Sequence, residues 1–139
     1  MNFNKKNILL FIIILFNAGV FIMYGVSKIM RIQAIATLPE DGLLATEMQP
    51  TQVMWYFLGI KAEYAILVGL SQIGSSVLLL FKRTRLFGAI VYFFVVSNIL
   101  AINVIFRVTW QTLLLSIILF MNILIIIYTE KDKVRKLFS

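Results

Sequence analysis

A few polar side chains interrupt sequence that is otherwise almost wholly apolar. Asn17, Gln72 and Asn98 fall near the middle of long apolar runs, and Asn103 lies a little further along the same run as Asn98. Lys28, Lys61, Glu63, Arg107 and Gln111 stand near the ends of such runs. Groups of this kind can do two things. In the first, Asn and Gln bond from one helix to another, each bond being worth about 0.6–2 kcal/mol. Lys28 and Arg107 then extend to polar headgroups, and Glu63 pairs with one of them. In the second, the same groups converge on a pocket and hold the polar head of a lipophilic ligand, since pockets between helices are mostly apolar with a few convergent polar groups.

Other chemistry is excluded by residue type. With no Cys and no His, the chain has no disulfide, dithiol centre, iron–sulfur cluster, bis-His haem or His-based zinc site. It also has no Ser–His pair, no glycine-rich phosphate loop and no carboxylate pair inside an apolar run. A proton-coupled transporter usually places a carboxylate or His at mid-membrane, and none is found there. The four-span multidrug transporters rely on a carboxylate in their first span, which this chain lacks.

The elements that position these residues follow from composition. Of the 139 residues, 61% are hydrophobic and 14% charged, and the mean hydropathy is +0.97. Soluble domains carry about 25% charged residues, and one domain of this size cannot hide so much apolar surface from water. A soluble enzyme is therefore excluded. Four runs of about 20 residues, at about 7–27, 62–81, 86–106 and 108–128, are each long enough to cross roughly 30 Å of hydrocarbon as a helix. Helix is the state that satisfies the backbone in lipid, and no segment alternates as a barrel strand would. The first run extends past any signal-cleavage site and is expected to be a retained span.

Charge positions set the orientation. Lys5, Lys6, Lys82, Arg83, Arg85, Lys131, Lys133, Arg135 and Lys136 fall on one side if the spans alternate, against Lys28, Arg31, Lys61 and Arg107 on the other. Nine of thirteen basic residues on one side predicts cytoplasmic termini. The net charge of +7 is then topology beside anionic lipid, and nucleic acid is not a partner. The turns at Lys82–Arg85 and Arg107–Thr109 are short, making their flanking helices neighbours. The connection 31–61 is long and holds Pro39, Glu40, Asp41, Gly42, Glu47 and Pro50. Its apolar, aromatic end, Val53 to Leu58, predicts a short helix at the outer surface, broken near Gly59 and folded back as a lid. The outer half of the spans carries the polar groups, and the inner half is nearly all Leu, Ile, Val and Phe apart from Asn122. Gly69, Ser71, Gly74, Ser75 and Ser76 form a small-residue stripe suited to close helix packing within the protein, with self-association as the alternative.

Several stretches resemble the DoxX-like membrane proteins, a four-span bacterial group. Tyr24-Gly25-Val26-Ser27-Lys28-Ile29 resembles that group's glycine-then-lysine ending of span one. Met54 to Gly59, running into Gly69-Leu70-Ser71-Gln72, resembles its aromatic segment and second span. Leu78 to Ala89 is similar to its turn, and Ser97-Asn98 through Asn103 and Phe106 to its third span. The resemblance covers Gly25 to Arg107. It departs at Gln72, where many members have Glu, at Arg107, where Asp is frequent, at Thr109, where Pro often follows, and at Gln111, which replaces a frequent basic residue. The resemblance implies a membrane subunit linked to redox or quinone-associated systems, or an accessory protein in the assembly of a partner.

The expected fold is all-α, an integral membrane antiparallel four-helix bundle with a partly helical outer loop 31–61 and a cytoplasmic tail 129–139 in the bacterial cytoplasmic membrane. The expected function is a subunit without catalytic activity of its own that binds a hydrophobic ligand, a quinone or lipid held non-covalently, in the outer half of the bundle. Lys28, Gln72, Asn98, Asn103 and Arg107 are its expected polar contacts, with Tyr24 and Trp55 as walls. The alternatives are an accessory or assembly protein and a small transporter or channel. Beyond the bilayer, the partners to be expected are a membrane protein or further copies of the chain.

Overall fold

The structure is a computed structural model that describes residues 4–30 and 49–138. Six helices follow in order: α1 (Lys5–Ile29), α2 (Pro50–Ile60), α3 (Ala62–Leu80), α4 (Arg85–Ile105), α5 (Trp110–Thr129) and α6 (Lys131–Phe138). No strand occurs among the described residues. Helices α1, α3, α4 and α5 are long and apolar enough to cross a membrane. Only 22–33% of each apolar window is buried inside the protein, so most of the apolar surface faces outward. Contiguous apolar exposure on that scale needs a non-aqueous surrounding. Trp110 and Tyr128, both exposed near the two ends of α5, lie about 27 Å apart along its axis at 1.5 Å per residue. That spacing approaches the hydrocarbon thickness and suits aromatic side chains at both interfaces.

The element ends have local causes. The Asn4 side chain accepts the Lys6 N–H at 3.4 Å, so α1 begins two residues before the apolar run. Pro50 opens α2, while the Gln49 N–H donates to Gln52 Oε1 at 3.1 Å. Helix α2 runs through Gly59, and the expected break falls instead at Lys61, whose extended backbone (φ −120°, ψ 117°) separates α2 from α3. The connecting residues 31–48, expected to form the rest of a lid, lie outside the described residues.

Helix α1 packs on α3, α3 on α4, α4 on α5 and α5 back on α1, with α2 against α3. The α1–α3 seam is set by two glycines. A Cβ at Gly25 would stand 2.7 Å from the Gly69 carbonyl oxygen, and one at Gly69 would stand 2.7 Å from that of Gly25. Gly88 similarly seats the start of α4 against the backbone of Leu78 and Leu79. Of the small-residue stripe, Gly69, Ser75 and Ser76 are buried as expected of a packing face, whereas Gly74 is exposed.

The close-packed core gathers at one end of the helices. Ile14, Leu79, Ala89, Tyr92, Val96, Ile123 and Ile126 are essentially inaccessible there. The same end is tied by Glu130, which pairs with Arg85 at 3.5 Å and Lys133 at 2.7 Å. Lys133 Nζ also donates to the Lys82 carbonyl at 3.0 Å. This joins the α3–α4 turn to the start of α6.

Substituting Gly25→Ala forces apart two backbones in contact. The expected loss is about 1–3 kcal/mol, the usual cost of overpacking. Gly74→Ala meets open space and should gain up to about 1 kcal/mol from helix propensity. Detergent or thermal unfolding of the two variants, compared with the parent, measures the contrast.

Candidate functional site

At the opposite end from the packed core the helices enclose a cavity of about 470 Å³. The C-terminal part of α1, the N-terminal part of α3, the C-terminal part of α4 and the N-terminal part of α5 all contribute wall residues, and Met54 of α2 closes one side. The wall is largely apolar, with Leu67, Val68, Ile99 and Leu115 among its members. Phe21 and Leu119 belong both to this wall and to the core, so they form the floor. Phe21 is held flat by Tyr92, whose ring stacks on it at 3.8 Å and 14°. The Tyr92 hydroxyl donates to the Asn17 carbonyl oxygen at 3.2 Å, which fixes the floor across α1 and α4.

Five of the residues expected at the site share this wall: Tyr24, Lys28, Gln72, Asn98 and Asn103. Gln72 is 1% exposed and Asn103 6%. Both carry a buried polar atom without a hydrogen-bond partner, Gln72 Oε1 and Asn103 Nδ2. A buried polar atom left unpaired costs about 1–3 kcal/mol, and most are paired in native proteins. Asn98 is exposed along the same wall, and half-buried Lys28 places its Nζ 5.4 Å from the centroid of the Tyr24 ring. Among the described residues no three His, Cys, Asp or Glu side chains come together. The wall therefore offers hydrogen bonds and one ammonium group.

Arg107 is not on this wall. It is exposed, and its φ of 49° makes it the left-handed residue that ends α4. The Val108 N–H reaches the Asn103 carbonyl at 3.1 Å and the Arg107 N–H reaches that of Val104 at 3.4 Å. Those are the two bonds of a Schellman turn, usually built on glycine. Its place in the turn accounts for Arg107 without a ligand. Trp55 lies on α2, and its side chain is outside the described residues. Glu63 is exposed, and neither Lys28 nor Arg107 forms an ion pair with it. Ser116, Met54 and Tyr92 were not singled out from the sequence. A hydroxyl mid-helix that bonds its own Leu113 carbonyl, a lone Met and a Tyr in an aromatic run carry no signal of their own there.

Comparison with known proteins locates the chain in a family. Over 124 residues it is 32% identical to the uncharacterized protein YwoB of Bacillus subtilis (strain 168), a match that covers 89% of this chain and 78% of the relative. The chain belongs to the YwoB family. No family model matches the chain. No solved structure matches it either. The matched length is great enough to take in the spans that build the cavity, and the relative's name attaches no activity to the family.

Replacing Arg107 by Gly removes a side chain from a left-handed backbone position. The expected gain is about 1 kcal/mol in unfolding free energy, with the cavity unaffected. A thermal melt of Arg107→Gly, together with the amount of lipophilic material it retains on purification, tests whether this residue serves the turn alone.

Proposed function

We propose that the chain is a multi-pass membrane subunit, without catalytic activity of its own, that holds the polar head of a hydrophobic ligand in the cavity between α1, α3, α4 and α5. The observation that carries this is the pair of unpaired buried atoms, Gln72 Oε1 and Asn103 Nδ2, in side chains that line a largely apolar cavity. Amides bonded only to each other would leave nothing for a ligand to satisfy. A turn of either amide toward the cavity would present its unpaired atom to the hydrogen-bonding head of a guest whose tail meets Leu67, Val68, Ile99 and Leu115. The volume suits such a guest, since small-molecule sites typically run from about 300 to 1,000 Å³. A quinone or a lipid fits the description, and the DoxX-like resemblance of the sequence links the ligand to redox or quinone-associated systems.

Topology supports the same placement. We read the four spans as an antiparallel bundle in the bacterial cytoplasmic membrane, with the basic, Glu130-tied end in the cytoplasm and the cavity in the outer half. Nine of the thirteen basic residues lie on that end. A transport path would have to pass the packed half, where Tyr92, Val96, Ile123 and Ile126 have no exposure at all. That packing weighs for a binding site closed at its floor.

Two measurements test these assignments. Mass spectrometry of the intact protein purified in mild detergent should find a lipophilic species at near-stoichiometric amount. The paired substitution Gln72→Leu and Asn103→Leu should lower that amount about tenfold or more with helix content unchanged. Retention by the double variant would contradict the site. Because the chain has no cysteine, single cysteines at Arg83 and Thr109 report topology cleanly. An impermeant thiol reagent applied to whole cells should label Thr109→Cys and spare Arg83→Cys, and the reverse pattern would invert the orientation.

A further inference from the structure

We propose that the head of the ligand is anionic, a phosphate or carboxylate carried on an acyl or isoprenoid chain, and that Lys28 is its counter-charge. This rests on the cavity being a site for a lipophilic ligand. Among the described residues, Lys28 is the one charged side chain on the wall, and none of the described wall residues is a carboxylate. Arg85 and Lys133 pair with Glu130 at the far end of the helices. Glu63, in the first turn of α3, is exposed and off the wall. The neighbour of the ammonium is the Tyr24 ring, 5.4 Å away, whose face attracts a cation but leaves its charge intact.

A cation against an apolar cavity is costly unless it is paired. A neutral head, such as a quinone carbonyl, accepts a hydrogen bond from Lys28 but leaves that charge unbalanced. A phosphate or carboxylate does both. Its remaining oxygens have neutral donors within the same wall, at Asn103 Nδ2, which has no partner, and at Asn98. Neutral donors suit an anion because they add hydrogen bonds without a second charge to bury. A soluble anion would find no use for the apolar remainder of the wall, so the head is taken to arrive on a chain.

The test uses the intact protein in mild detergent and four probes: oleyl phosphate, oleyl alcohol, decylubiquinone and inorganic phosphate. Retention is read by native mass spectrometry. Oleyl phosphate should be held at least about tenfold more tightly than oleyl alcohol, since the two share a chain and differ only in charge. Lys28→Met should erase that preference, and Lys28→Arg should keep it. Inorganic phosphate at equal concentration should fail to displace oleyl phosphate. Equal retention of oleyl alcohol or decylubiquinone would overturn the anionic head and leave the ligand site standing. Displacement by inorganic phosphate would overturn the lipid origin of the anion. Failure of the unmodified protein to retain any lipophilic probe would sink the ligand site itself. The comparison of oleyl phosphate with oleyl alcohol needs no variant, so it decides the matter even where Lys28→Met does not fold.

Discussion

A polar atom placed in hydrocarbon has no water to turn to, and it must find its hydrogen bond within the protein or in something the protein binds. Most of the polar side chains in the spans meet this demand on their own helix. Ser27, Ser71, Ser76 and Ser97 donate to the carbonyl four residues earlier, and Ser75, Ser116 and Thr129 to the carbonyl three residues earlier. The Tyr92 hydroxyl reaches across to the Asn17 carbonyl. Among the described residues, three fully buried side-chain atoms do not meet that demand. Asn17 Oδ1 is one, set in the packed half, and nothing in the structure explains it. Gln72 Oε1 and Asn103 Nδ2 are the others, and both side chains belong to the wall of one cavity. That coincidence is what the proposed ligand site rests on.

The rest of the fold serves to keep that wall open while the other end stays closed. The Gly25–Gly69 contact brings the backbones of α1 and α3 together at the level of the cavity, which carries Tyr24 and Lys28 toward Gln72. Below it, the Phe21–Tyr92 stack and Leu119 make a floor that merges with the core. At the far end the Glu130 contacts with Arg85 and Lys133 lock the two turns to each other. A packed half under a hollow half accords with the proposed binding site.

Much of this was legible in the sequence because hydrocarbon imposes a length and a composition on whatever crosses it. Four uncharged or nearly uncharged runs of about 20 residues mark the four long helices to within two or three residues at each end. The convergence of Tyr24, Lys28, Gln72, Asn98 and Asn103 was legible for a related reason, since polar residues within such runs are scarce and tend to face inward. Arg107 was not separable from them, because a basic residue at the end of a span looks the same whether it faces a ligand or holds a left-handed turn. Only its backbone shows which. The break between α2 and α3 falls two residues beyond Gly59. Gly59 is the residue that usually breaks a helix, yet the chain turns at Lys61. The floor and the Glu130 contacts depend on pairs far apart in sequence, such as Tyr92 with Asn17 and Lys133 with Lys82, which no local pattern announces.

The central claim is that a lipophilic molecule completes the hydrogen bonding of Gln72 and Asn103. A density map of the protein in lipid nanodiscs, with no ligand added, addresses it most directly. Elongated density between α1, α3, α4 and α5, with its polar end within hydrogen-bond distance of both amides, is the expected result. A collapsed cavity in which Gln72 and Asn103 bond to each other, or one filled by water alone, would contradict it.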